Sequence, residues 1–185
     1  MRADISKYYL YCILSNLLFA TPIVFVFYLH IGLSYIEIFI CEALFSIGVA
    51  ALEIPTGVIA DRFGKKPSII LGAAAAAIAN ILCAIGTGFG FIAVASLMLA
   101  LGVALMSGAD TALFYEILQT SGQASKFKKY QGTAKSISLV TLAIASIVGG
   151  LIGSWSMRGT FFVTALVNIL FGFIVFTIRS VHAQK

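Results

Sequence analysis

The sequence predicts an all-α membrane protein with six transmembrane helices, forming one unit over residues 1–185. Three observations predict it. Hydrophobic residues make up 61% of the chain and charged residues 10%, with a mean hydropathy of +1.05, whereas a soluble domain is about a quarter charged. The chain divides into six apolar runs, each reaching about the 20 residues that a bilayer span requires. Its charges gather at the ends of those runs. That clustering also argues against a nucleic-acid partner for the net charge of +5.

Span 1 is expected over 8–33, with a kink at Pro22, because proline removes a helix hydrogen bond and clashes with the preceding turn. The opening MRADISKYYLYC has a basic start but no short apolar core with a small-residue cleavage site, so this run is expected to be retained. Span 2 is expected over 35–60, span 3 over 67–85 and span 4 over 89–118. Spans 1 and 4 are long enough to tilt or project. A polar stretch from Gln119 reads as a loop with a short surface helix. Span 5 is expected over 130–154 and span 6 over 160–179. Runs such as LGAAAAAIAN and SIVGGLIGS supply the small residues that let membrane helices pack closely. Cys12, Cys41 and Cys83 fall at irregular spacing inside apolar runs, which suits small core residues rather than a disulfide framework or a zinc site. His30 and His182 are expected on opposite sides of the membrane. No metal or other cofactor is expected.

Lysine and arginine set the orientation. Arg2, Lys7, Arg62, Lys65, Lys66, Lys126, Lys128, Lys129, Lys135, Arg179 and Lys185 fall on one side, and only Arg158 on the other. Both termini are therefore expected in the cytoplasm.

The most informative stretch is GVIADRFGKK, from Gly57. On span 2 the polar and small positions Glu42, Ser46, Glu53, Gly57 and Asp61 drift slowly along one face at helical spacing. Acids inside a span are costly, so this face is expected to meet protein or water. Gly57 leaves room for another helix. Asp61 sits one turn further, at the rim, suited to cap a helix N-terminus or hold the following cations. Gly64 permits a tight turn, and Pro67 suits the first turn of span 3. The Gly-Lys pair is not a nucleotide loop, because Ile59 stands where a P-loop needs its first glycine.

Gly57, Asp61, Arg62, Gly64, Lys65 and Lys66 match the loop signature G-x-x-x-D-R-x-G-[RK]-[RK], in the expected place between spans 2 and 3. The chain here resembles the major facilitator superfamily. EIPTG from Glu53, SGADTALFYEIL from Ser107 and PIVFVFYLHIGLS from Pro22 resemble a large bacterial branch of it, so the likeness covers essentially the whole chain. It implies a bacterial inner-membrane protein and the N-terminal six-helix half of a transporter, built of two inverted three-helix repeats. The implied activity is secondary transport of a small-molecule substrate by alternating access, with a coupling proton as the usual family expectation. A gating role is implied for Asp61, with Arg62 as its local partner. GVIADRFG and GLIGSWSMRG, from Gly150, occupy equivalent loops of the two repeats.

The family's complete transporters have twelve spans, with the substrate site between two halves. The second half is absent from this sequence. A fragment, a chain completed by a separately made second half, and a parallel homodimer are all open expectations, as is a non-transporting assembly module. Ala104 stands where many relatives carry a proton-linked arginine, and Ala145 and Ser146 replace the Gly-Pro of an antiporter motif.

Asp110 lies about 12 Å along span 4 from its cytoplasmic end. Lys135 on span 5 and Glu53 on span 2 are expected at similar depth. They are expected either to form a network locking three helices or to form a proton or substrate site. Asn16 and Asn80 are polar residues in apolar spans, suited to interhelical hydrogen bonds, and Asn16 and Glu42 are further cavity candidates. No nucleophile–base pair is placed for catalysis, so no enzyme is expected.

Overall fold

The computed structural model describes residues 2–178. Arg179, His182 and Lys185, assigned above to the basic side and tail, lie outside the described residues, as does the side chain of Arg2. The described residues form eight α-helices and no strand: α1 Arg2–Ser15, α2 Val24–His30, α3 Tyr35–Phe63, α4 Lys65–Ile85, α5 Phe89–Met106, α6 Ala109–Thr120, α7 Phe127–Trp155 and α8 Met157–Thr177. Five helical runs are long and apolar enough to cross a membrane, α5 and α6 counting as one run.

Two expected spans are broken rather than continuous. Span 1 becomes α1, an irregular segment, a 3-10 turn at Thr21–Ile23 and the short α2. Pro22 has no N–H to continue the ladder, and the Leu18 carbonyl instead accepts from Thr21 N at 3.2 Å. Span 4 breaks at Gly108, whose φ of +72° favours glycine. The polar stretch after Gln119 holds a 3-10 turn at Ala124–Lys126, and α7 begins at once at Phe127.

The elements fall into two triplets of the same plan. A broken pair, α1–α2, is followed by a 29-residue helix, α3, and a 21-residue helix, α4. A second broken pair, α5–α6, is followed by α7 of 29 residues and α8 of 21. In each triplet one residue separates the long helix from the short one, Gly64 in the first and Ser156 in the second. Local chemistry sets these starts. Ser34 and Glu37 form a reciprocal capping box on α3. The Ser156 hydroxyl accepts from Gly159 N at the start of α8.

The short helices α4 and α8 are the centre of the bundle. About half of each apolar window is buried, 56% and 50%, against 11% for α3 and 17% for the run containing α7. Small residues make this possible. A Cβ on Gly172 would stand 3.1 Å from the Ala73 Cβ, and one on Gly72 would stand 2.8 Å from the Gly102 carbonyl of α5. The antiparallel pair is also clamped at both ends. Lys66, in the first turn of α4, donates to the Ile178 carbonyl just past α8 at 2.7 Å, and Lys7 donates to Thr177 O at 2.9 Å. Arg158, in the first turn of α8, donates to Ala84 O in the last turn of α4 at 2.6 Å. Cations meet the carbonyl-rich ends of helices, where the backbone dipoles favour them. The three cysteines are buried free thiols.

Candidate functional site

The polar residues of α1, α6 and α7 converge on one cavity of about 460 Å³. From α1 it is lined by Tyr8, Tyr11, Cys12 and Ser15, which repeat at helical spacing, and by Asn16 at the break. From α6 come Asp110, Thr111 and Phe114, and from α7 Gln131, Ala134, Lys135 and Ser138. Its walls are aromatic and packed. Tyr8 stacks on Phe114 with ring centroids 3.9 Å apart, and Tyr11 meets Phe171 edge-on at 5.8 Å.

The break at Gly108 puts Asp110 in the first turn of α6. There its Oδ1 accepts from Thr111 N at 2.5 Å and lies 3.2 Å from the Thr111 hydroxyl. Lys135 faces the same cavity, but among the described residues neither it nor Asp110 makes an ion pair. Glu53 stands outside this cavity and accepts from the Ser107 hydroxyl at 3.0 Å. The three-way network expected of Asp110, Lys135 and Glu53 is therefore not formed as contact ion pairs: Asp110 and Lys135 face one cavity, and Glu53 stands outside it. Asn16 donates its amide to Cys12 O at 2.9 Å and stands 3.1 Å from the Ser138 hydroxyl, tying α1 to α7.

A second, mostly apolar cavity of about 450 Å³ lies between the first break, α2, α3, α4, α5 and α8. Glu42 and Asn80 line it, and Ser15 lines both cavities. Asn80 donates to Ala76 O of its own helix at 2.9 Å.

The loop residues gather at the end where α4 begins. Lys65 pairs with Glu116 of α6 at 2.5 Å. Asp61 is exposed and makes no ion pair among the described residues. The Arg62 guanidinium lies over the neighbouring Phe63 ring, at 5.8 Å from its centroid, rather than on Asp61. Asp61 does not cap α4 either, because Gly64 holds the N-cap position without a side-chain hydrogen bond. No described atom would lie within 4 Å of a Cβ on Gly57.

The breaks themselves are sealed by residues to which the sequence reading gave no such role. The Ala104 and Leu105 carbonyls, freed at the second break, meet the Thr56 hydroxyl of α3 at 3.0 Å and the Ser68 hydroxyl of α4 at 2.6 Å. At the first break Ala20 N donates to Thr164 Oγ1 of α8 at 3.2 Å, and the Phe19 carbonyl lies against Gly149 of α7.

The family model described as Major Facilitator Superfamily matches residues 9–185. The chain is 29% identical over 187 residues to the multidrug resistance protein MdtH of Photorhabdus laumondii, a match covering 91% of this chain and 44% of that protein. It is 30% identical over 111 residues to protein ZINC INDUCED FACILITATOR 1 of Arabidopsis thaliana, covering 60% of this chain and 21% of that protein. The chain thus spans less than half the length of these curated relatives.

Proposed function

Because the chain belongs to the Major Facilitator Superfamily, we propose that it forms one six-span half of a secondary transporter that moves a small solute by alternating access. The broken pair α1–α2 is its first span, and both termini face the cytoplasm of a bacterial inner membrane. The eleven-to-one distribution of cations supports that orientation.

The observation that carries the reading is the polar cavity at the two breaks. Backbone that leaves helix geometry at membrane depth is tolerated where it is buried in protein or lines a water-filled space. Here both breaks flank a chamber holding Asp110, Lys135 and Asn16. Asp110 is the acid we assign to proton coupling, and Lys135 and Asn16 bind the solute. The unmatched Gly57–Asp61 face of α3 is the surface for a second half, with Asp61 gating across it. The relative named a multidrug resistance protein makes an organic solute the first class to assay.

Energised inside-out membrane vesicles containing the assembled transporter test this. Adding an exchangeable organic solute collapses the pH gradient with the unaltered chain, and Asp110→Asn lowers that rate at least tenfold. Normal pH-driven exchange in Asp110→Asn removes Asp110 from coupling. Association without flux, for any solute offered, leaves an assembly module in place of a transporter.

A further inference from the structure

We propose that the apolar cavity inside this half is a second ligand site, for an uncharged, aromatic-bodied small molecule carrying one carboxamide. Its volume of about 450 Å³ falls in the range of small-molecule sites, which pair apolar walls with a few placed polar groups. Phe45, Phe161 and Phe171 supply aromatic wall. Glu42 is the one charged residue lining it, and with Thr21 it is exposed and marks the mouth.

The decisive residue is Asn168 on α8. It is only 3% exposed, lines this cavity and has no hydrogen-bond partner among the described residues. Its amide is not sealed off either, since no fully buried side-chain nitrogen or oxygen is left unbonded. The amide therefore opens into the cavity. Most other buried polar side chains are engaged: Ser68 bonds to Leu105 O, Thr164 to Thr160 O and Ser121 to Leu118 O. An asparagine offers one acceptor oxygen and two N–H donors. A buried amide without a partner is destabilising, so a wall otherwise this apolar retains one where something meets it.

Asn80 faces the same space from α4. Its nitrogen is bonded to Ala76 O, which leaves its oxygen for a donor. A carboxamide supplies a carbonyl and an NH₂, the complements of the Asn168 amide and the Asn80 oxygen. Asn80 and Asn168 stand on the two helices that Lys66 and Arg158 clamp end to end, so the recognition groups sit on the most rigid elements of the bundle. This site does not depend on Asp110, on a second half or on transport.

Photolabelling of the full chain in native membranes tests it, with two probes. 4-Benzoylbenzamide carries the carboxamide; 4-methylbenzophenone is its near-isostere without it. The amide probe is expected to label cavity residues such as Met106 and Phe45 saturably. Asn168→Leu is expected to weaken that labelling about tenfold, the loss of one buried polar pairing, and to leave the methyl probe unchanged. Leu99→Trp, which fills the cavity without touching the asparagines, is expected to abolish labelling by both. The proposal is overturned if both probes label alike and without saturation at lipid-facing residues such as Ile147 and Phe176. It is overturned equally if Asn168→Leu leaves the amide probe at its original strength, in which case the cavity holds water or lipid.

Discussion

The break in the first triplet opens an N–H and a carbonyl, the break in the second opens two carbonyls, and the two are met by different means. Between α1 and α2 the Thr164 hydroxyl accepts from Ala20 N, and the Phe19 carbonyl packs against the backbone of α7. The Phe19 carbonyl lies so close to α7 that a Cβ on Gly149 would stand 2.1 Å from it. Between α5 and α6 the seal is side chain to backbone, with Thr56 and Ser68 reaching the freed carbonyls. In both cases the long and the short helix of the opposite triplet do the sealing. The first break therefore requires space at Gly149 as well as the Thr164 hydroxyl, and the second requires the Thr56 and Ser68 hydroxyls. Each triplet also depends on the other, because peptide groups left open at membrane depth find no water.

The largest effect should come from removing the space. Gly149→Ala forces the Phe19 carbonyl to move, and backbone cannot yield as a flexible side chain does. Overpacking of this kind costs about 3 kcal/mol. Gly150→Ala, one residue on, meets nothing within 4 Å and should leave stability unchanged. A thiol-reactive dye that reports exposure of the buried Cys12, Cys41 and Cys83 on heating would read both. Equal behaviour of the two variants would show that the first break does not rest on Gly149.

Removing a hydroxyl should cost less. Ser68→Ala leaves the Leu105 carbonyl open, and Thr56→Val does the same for Ala104. Interhelical hydrogen bonds in membranes are worth about 0.6 kcal/mol on average and about 1.7 at most, so each change should cost about 1 kcal/mol in the same assay. The two hydroxyls serve one break, so the double variant should depart from the sum of the singles. Strict additivity would mean that the carbonyls are met some other way.

The helices from 35 onward were legible because their signals are local: long apolar runs, a capping box at Ser34, and charges at the junctions. The breaks were not legible. Apolar residues run through 17–20, and one residue in each broken run, Pro22 or Gly108, carries the only hint. Whether Pro22 kinks a helix or ends it depends on Thr164 and Gly149, more than a hundred positions away. The candidate site divides in the same way. Asp110, Lys135 and Asn16 stand out as polar residues in apolar surroundings, and they do line one cavity. The expected network is not formed as contact ion pairs: Asp110 bonds to Thr111, and Glu53, outside the cavity, bonds to Ser107. Asn168 is the instructive omission. The reasoning that singled out Asn16 and Asn80 applies equally to a lone asparagine within TALVNILFGF.

The smallest effect concerns the clamps, where the two ends of the α4–α8 pair differ in number. At the basic end two lysines reach the last carbonyls of α8, Lys66 to Ile178 and Lys7 to Thr177. At the other end Arg158 reaches Ala84, and its guanidinium also lies over the Phe27 ring at 5.8 Å. A cation at a helix C-terminus contributes about 0.3–1 kcal/mol. Lys66→Met also takes the ammonium from over the Phe176 ring, 5.1 Å from its centroid, so only the presence of Lys7 sets it apart from Arg158→Met, and it should cost about 0.5 kcal/mol. Arg158→Met removes the donor to Ala84 together with its ring contact, and should cost about 1 kcal/mol. Adding Lys7→Met to Lys66→Met should bring the basic end level with the other. If Lys66→Met alone matches Arg158→Met in the heating assay, the lysines do not share the end of α8, and the redundancy inferred from their two carbonyl contacts is wrong.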